Sequence, residues 1–403
     1  MKYVILVGDG MGDYPVAKFG GKTPLAVAHT PNMDWLADHG ELGLARTIPD
    51  GCETGSDTAN LSILGYDPKS VQVRRAPLEA ASLGLSLAST DVAFRCNLVT
   101  LSEQEGVLCM DDYSAGHIST AEARDLIEDI DRALGNETFR FYPGVSYRHL
   151  MLWHAGAEEV NTTPPHDIIS RAVRPYLDGM SSQGSELLEL MDRAHEILKV
   201  HPINQERVKK GLKPATHIWF WGQGYAPKLQ SFGKRTGLTG AIISAVDLLR
   251  GIGVYIGLEV IRVPGATGYL DTDYEAKARY ALSALNSVDL VYVHVEAPDE
   301  AGHAGLLDEK IGAIEAFDAK VVGKMLDGLR DFGQYRIMVT TDHYTPVAVR
   351  THTTEPVPFA IYGTDIPAPS DGSAGFSEAE AERRGLFVAD GHRVIERLTR
   401  FAE

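Results

Sequence analysis

Three β-prone runs in this sequence each lead into a carboxylate or an imidazole, and no other feature constrains the fold as much. Val4-Ile5-Leu6-Val7 runs into Gly8-Asp9, and Leu290–Val295 runs into a segment carrying Asp299 and His303. Ile337–Thr341 runs into Asp342-His343, and His352 lies a short way further along. A further strand is read over Val357–Tyr362. Between the second and third runs, Ile311, Ile314, Phe317, Val321, Met325 and Leu329 recur every three or four residues, which predicts an amphipathic helix from Asp308 to Phe332. Helices are also read around Asn32–His39 and from Ser56 to Leu64. Strands alternating with helices imply an α/β fold with a mostly parallel sheet flanked by helices, in which loops at the carboxyl ends of the strands share one crevice. Groups remote in sequence then become neighbours.

The middle of the chain has another texture. Ser119-Thr120-Ala121-Glu122 has the form of a capping box opening a helix that ends near Gly135, and a second helix is read from Ser185 to Val200. Pro143-Gly144, Pro164-Pro165 and Lys213-Pro214 punctuate the region. The expectation is a discontinuous core from residues 1–75 and 235–403, with residues 76–234 forming an inserted, smaller α+β domain.

Asp9, Asp299, His303, Asp342, His343 and His352 together offer mixed oxygen and nitrogen donors, suited to Mn²⁺, Zn²⁺ or Co²⁺, with Mg²⁺ also able to use them. Asp299 and His303 are four apart, so a helical turn puts them on one side. Adjacent Asp342 and His343 point apart, and either each serves a different ion or both reach one. So many donors exceed the need of a single tetrahedral ion and match two ions about 4 Å apart. Ser56 follows Gly55 at the start of a helix, where backbone N–H groups favour an anion. Beside two cations its hydroxyl becomes a nucleophile, so the residues point to metal-assisted phosphoryl transfer.

Composition narrows the partners. The formal charge of −17 disfavours a nucleic-acid backbone or an anionic membrane as the main partner. The three cysteines, Cys52, Cys96 and Cys109, are widely spaced and odd in number, which fits a reducing compartment rather than a disulfide framework. The first apolar run is too short for a signal peptide, and no later one nears the roughly 18 residues of a membrane span. A cytoplasmic setting follows as the expectation.

The ordered motifs carry a resemblance. Gly8-Asp9-Gly10-Met11, Gly55-Ser56-Asp57, Gly65-Tyr66-Asp67-Pro68, Met110 to His117, Pro264 to Gly268, Asp299 to His303 and Thr351-His352 resemble the alkaline phosphatase superfamily, and within it the cofactor-independent, archaeal-type phosphoglycerate mutases. The resemblance implies that Asp9, Ser56, Asp342 and His343 hold one metal and Asp299, His303 and His352 the other, with Ser56 the phosphorylated nucleophile. It implies a substrate-binding role for His117. Arg75 and Arg148, and Lys234 or Arg235, are the basic residues suited to the phosphate or carboxylate of a small phosphorylated substrate. The implied reaction is interconversion of 3-phosphoglycerate and 2-phosphoglycerate without 2,3-bisphosphoglycerate. Transfer to another small alcohol such as homoserine, phosphohydrolysis, and a metal-binding relative without catalysis are the alternative readings.

Overall fold

A computed structural model describes residues 1–71, 73–180, 184–367 and 375–399. Its residues group into two compact units, one formed by Met1–Gln72 with Lys228–Glu403 and the other by Val73–Pro227. The sequence reading placed the breaks at 76 and 234. Arg75 therefore falls in the second unit and Lys234 in the first.

The first unit is built on an eight-stranded sheet. Its strands are β1 (Lys2–Gly8), β2 (Glu41–Ala45), β8 (Gly240–Ile243), β9 (Glu259–Val260), β10 (Leu290–Val295), β11 (Tyr335–Thr340), β12 (Val357–Gly363) and β13 (Phe387–Val388). The spatial order is β13-β2-β12-β11-β1-β10-β8-β9. β1 pairs in parallel with β10 on one side and β11 on the other, with Val4 opposite Val291 and Ile337. Helices cover both faces, so these strands are apolar throughout rather than alternating. Val4 to Val7 are all fully buried. The sheet is mostly parallel, as the alternation of strands and helices implied, but β12 runs antiparallel to both β11 and β2. No helix separates β11 from β12, and without a crossover helix the chain can only turn back along its neighbour.

The long helix read from 308 to 332 is continuous but irregular. It is α-helical over Leu307–Phe317, π-helical over Asp318–Val322, and α-helical again over Gly323–Leu329. The buried Asp318 carboxylate accepts from Met33 N at 2.7 Å and Asn32 Nδ2 at 2.8 Å, tying the wide turn to the start of the helix Pro31–His39.

The second unit is α+β. A five-stranded antiparallel sheet is formed by β3 (Val92–Gln104), β4 (Val107–Asp112), β5 (Phe139–Val145), β6 (Arg148–Trp153) and β7 (His217–Tyr225), with β3 pairing β4, β6 and β7. Helices Thr120–Leu134 and Ser185–Val200 bring Leu126, Ile130, Leu187 and Leu198 into a core with Phe94, Met151 and Phe220. The capping box at Ser119 and Glu122 is formed.

Candidate metal centre

The parallel order β11-β1-β10 sets three strand ends side by side, and the loops leaving them carry the donors. Asp9 follows β1, Asp299 and His303 lie on the short helix Ala297–Ala304 after β10, and Asp342-His343 follows β11. His352 sits on the return from β11 to β12. Ser56 is the first residue of the helix Ser56–Ile63. All seven belong to the first unit, and they converge.

His343 Nε2 is the hub. It lies 3.1 Å from Ser56 Oγ, 3.4 Å from Asp9 Oδ1 and 3.5 Å from Asp342 Oδ2. Donor atoms of Asp9, Asp342 and His343 lie within 4.8 Å of one another, as do those of Asp299, His343 and His352. His303 Nε2 is 3.2 Å from Asp299 Oδ2 and 2.9 Å from His352 Nε2.

Neighbouring groups orient these donors. Thr345 Oγ1 donates its single proton to Asp299 Oδ1, since an ionised carboxylate has none to give. The same oxygen is 3.2 Å from His343 Nδ1 and must accept there, which assigns the Nδ1–H tautomer and leaves a lone pair on Nε2. His303 Nδ1 similarly faces the Arg350 carbonyl at 3.0 Å. Asp342 accepts from Gly10 N and His343 N through Oδ1, and from Asn60 Nδ2 at 2.8 Å through Oδ2. Asn60 Nδ2 also donates to Ser56 O at 2.7 Å, so one amide ties the nucleophile candidate to the donor cluster.

The electrostatics demand positive charge. Asp9, Asp299 and Asp342 are all buried, and Glu296 brings a fourth carboxylate within reach of Asp9 and Asp299. Burial, then Asp342 and Asp299, push the Asp9 carboxyl well above the usual range. Burial and Asp299 raise Glu296 to about 8. Asp299 and Asp342 go the other way: burial opposes ionisation, but His303 and His352 hold Asp299 low, and His343 and His294 hold Asp342 low. Among the described residues, neither Asp9 oxygen has a hydrogen-bond partner. His294 Nε2 comes within 3.0 Å of Asp9 Oδ2 but without hydrogen-bond alignment, so proximity there is not satisfaction. An orphaned, buried carboxylate among imidazole lone pairs is costly unless a cation joins it. The donor set therefore fits divalent metal ions.

The basic residues singled out in the sequence have other settings. Lys234 and Arg235 lie exposed on the helix Phe232–Thr236 of the first unit, with the Arg235 guanidinium 5.2 Å from the Tyr66 ring centroid. Arg75, Arg148 and His117 belong to the second unit and are exposed. Arg148 lies over the Tyr147 ring, and Arg75 with Arg95 adds to burial in lowering the His166 pKa.

Sequence reasoning assigned no role to Glu296, His294, Asn60 or Thr345. Asn60 lies within the helix read from Ser56 to Leu64, Glu296 directly follows the strand read over Leu290–Val295, and Thr345 lies two residues beyond His343. His294 is a polar residue in an otherwise apolar strand, which is the signal that marks it.

Fold and site together define a class: α/β proteins that gather carboxylates and imidazoles around a serine hydroxyl at the carboxyl edge of a mostly parallel sheet. The family of 2,3-bisphosphoglycerate-independent phosphoglycerate mutases matches this chain over residues 37–204. A Geobacter sulfurreducens protein named "probable 2,3-bisphosphoglycerate-independent phosphoglycerate mutase" is 53% identical over 399 residues, covering 99% of both chains. The Methanosarcina barkeri 2,3-bisphosphoglycerate-independent phosphoglycerate mutase is 53% identical over 98% of both. Among solved structures, the cofactor-independent phosphoglycerate mutase of Thermoplasma acidophilum aligns over all of both chains at 27% identity and a TM-score of 0.69. A Pyrococcus horikoshii protein aligns over 100% of this chain and 98% of its own at 31% identity and a TM-score of 0.85. The chain belongs to the 2,3-bisphosphoglycerate-independent phosphoglycerate mutase family.

Proposed function

We propose that this chain interconverts 3-phosphoglycerate and 2-phosphoglycerate without 2,3-bisphosphoglycerate, carrying the phosphoryl group on Ser56 in transit. The observation that supports this best is the 3.1 Å approach of Ser56 Oγ to His343 Nε2 within a nest of buried carboxylates. Two divalent cations, Mn²⁺ first among Mg²⁺, Zn²⁺ and Co²⁺, would be held by Asp9, Asp342, His343 and Ser56 and by Asp299, His303 and His352, and would supply charge that acidifies the hydroxyl and neutralises phosphoryl oxygens. Ser56 Oγ attacks phosphorus as the C3 oxygen of glycerate leaves, and the serine proton passes to that oxygen. The 2-hydroxyl then attacks the phosphoserine, and its proton returns to Ser56 Oγ. Asn60 holds the Ser56 carbonyl and Asp342 in register through both steps. His117, Arg75, Arg148, Lys234 and Arg235 are the proposed substrate contacts, the arginines matching carboxylate or phosphate in bidentate fashion. The setting proposed is the cytoplasm, consistent with three unpaired cysteines; no helix among the described residues is long and apolar enough to cross a membrane.

The test is conversion of 3-phosphoglycerate, coupled to enolase, by Mn²⁺-loaded protein free of 2,3-bisphosphoglycerate. Wild type turns over and Ser56→Ala does not. Dependence on added bisphosphate, or full activity of Ser56→Ala, overturns the phosphoserine route. Turnover of ATP with homoserine but not of 3-phosphoglycerate overturns the choice of acceptor.

A further inference from the structure

His117 closes the longest run of positive φ among the described residues: Ala115, Gly116 and His117 have φ of 50°, 65° and 49°. Gly116 adopts this freely, whereas alanine and histidine carry strain there. Ser114 and Ala115 are buried while His117 is exposed, so the strained turn presents an imidazole to solvent instead of packing it. Strain of this kind persists only where surrounding contacts over-determine it.

One segment, residues 207–213, supplies contacts that brace the turn from outside it. Arg207 is only 4% exposed and spends its guanidinium on three acceptors: Ala115 O at 2.8 Å, Glu122 Oε2 at 2.8 Å and Lys213 O at 3.0 Å. Lys213 Nζ lies 3.1 Å from Asp111 Oδ2 and 3.5 Å from Asp112 Oδ2. A Cβ on Gly116 would come within 3.1 Å of Lys213 Cβ and 3.6 Å of Arg207 Nη2, so the turn is seated against both. Inside the turn, Asp112 Oδ1 accepts from Ser114 N and Oγ, and Ser114 Oγ accepts from His117 N at 3.0 Å. The rings of Tyr113 and Tyr147 meet the His117 imidazole edge-on at 6.5 Å and 6.3 Å.

We infer that Arg207 and Lys213 are positioning residues: from behind the turn they hold its left-handed conformation and so aim the His117 imidazole at substrate. The inference rests on the proposed role of His117 as a substrate contact. Neither cation touches the imidazole. A turn needed only to start the helix at Thr120 could relax, because the Ser119–Glu122 capping box already satisfies that helix.

Hydrogen exchange of the amides from 113 to 118, and steady-state kinetics with 3-phosphoglycerate, are measured on full-length wild type, Arg207→Leu, Arg207→Lys and Gly116→Ala. Arg207→Leu and Gly116→Ala are expected to speed exchange at the His117 amide and to raise KM about tenfold or more, with a smaller change in kcat. Arg207→Lys recovers part of both effects, since an ammonium reaches Glu122 but cannot serve three acceptors at once. If Arg207→Leu fails to fold, Lys213→Met is measured in its place and decides the matter, because it removes the ammonium from Asp111 and Asp112 without adding backbone strain to the turn. Unchanged exchange overturns the clamp, and faster exchange at an unchanged KM overturns its connection to substrate. A wild type that never converts 3-phosphoglycerate overturns the proposed function instead, while exchange still decides the clamp.

Discussion

Replacing Lys310 by methionine removes a fully buried ammonium that binds two of the site's loops together. Its Nζ donates to Gly12 O at 3.0 Å, Asp13 Oδ2 at 2.8 Å and Thr345 O at 2.8 Å. The first two acceptors lie just past Asp9, and the third belongs to the residue that orients His343. Methionine keeps most of the aliphatic stem, so packing changes little and the loss is electrostatic. At an effective dielectric constant near 20, a charge pair 2.8 Å apart attracts by about 6 kcal/mol before desolvation is counted. The ammonium regains hydration on removal, but Asp13, only 2% exposed, cannot. Tyr14 N and Val347 N still donate to Asp13 and soften its isolation. Breaking one side of a buried pair costs about 3–5 kcal/mol, and two carbonyls lose a donor besides. The expected destabilisation of the first unit is therefore about 4 kcal/mol, which lowers protection of the β1 and β11 amides roughly a thousandfold in native-state hydrogen exchange. Adding Asp13→Leu removes the stranded carboxylate and should return about 2 kcal/mol of that loss. A single variant costing under about 1 kcal/mol, or a double variant whose losses simply add, refutes the reasoning.

Metal affinity should rise with pH through the range set by His303. Hydrogen bonding to Asp299 raises this imidazole to about 9 against the opposing effect of burial, so at pH 7.5 it holds a proton on Nε2 that an incoming cation displaces. Titration calorimetry with Mn²⁺ in buffers of differing ionisation enthalpy should register release of at least one proton at pH 7.5, since the His303 proton is joined by that of the raised Asp9 carboxyl in the same donor cluster; proton-neutral binding contradicts this. In the second unit, burial lowers His149 to about 3, from an unfolded value near 6.5. The unfolded chain binds the extra proton, so this stability is complete above pH 6.5 and is lost as pH falls towards 3. The loss is about 2 kcal/mol by pH 5. Urea titrations should show it, and His149→Gln, which keeps an acceptor for Gly144 N, should flatten that part of the profile; an unchanged slope assigns the acid sensitivity elsewhere.

The donors were legible because each follows a strand in sequence, and a parallel sheet turns that regularity into proximity. What could not be read was how the donors are held. Thr345 earns its place only once β11 and the short helix after β10 are known to face each other, since its contact with Asp299 spans 46 residues. The sheet of the second unit was hidden for a different reason. β3 is buried on both faces from Val92 to Leu101, and its apolar-polar alternation is confined to Phe94-Arg95-Cys96-Asn97-Leu98 and is lost in the apolar pairs on either side, which leaves only a short period-two signal. Lys310 shows the limit most sharply. The apolar spacing placed Ile311 on the buried stripe of the long helix, yet Ile311 is half-buried and Lys310 wholly so, in line with Ile314, Phe317 and Val321. The inward stripe is thus offset by one residue at its start, at the point where the helix passes behind the loop carrying Gly12 and Asp13. A lysine at i with apolar residues at i+4, i+7 and i+11 reads as a solvated charge by composition, but by periodicity it is an interior one. Such a lysine must find polar partners inside, a need that periodicity announces without naming them; the fold supplies Gly12 O and Asp13 from the loop after β1 and Thr345 O from the loop after β11.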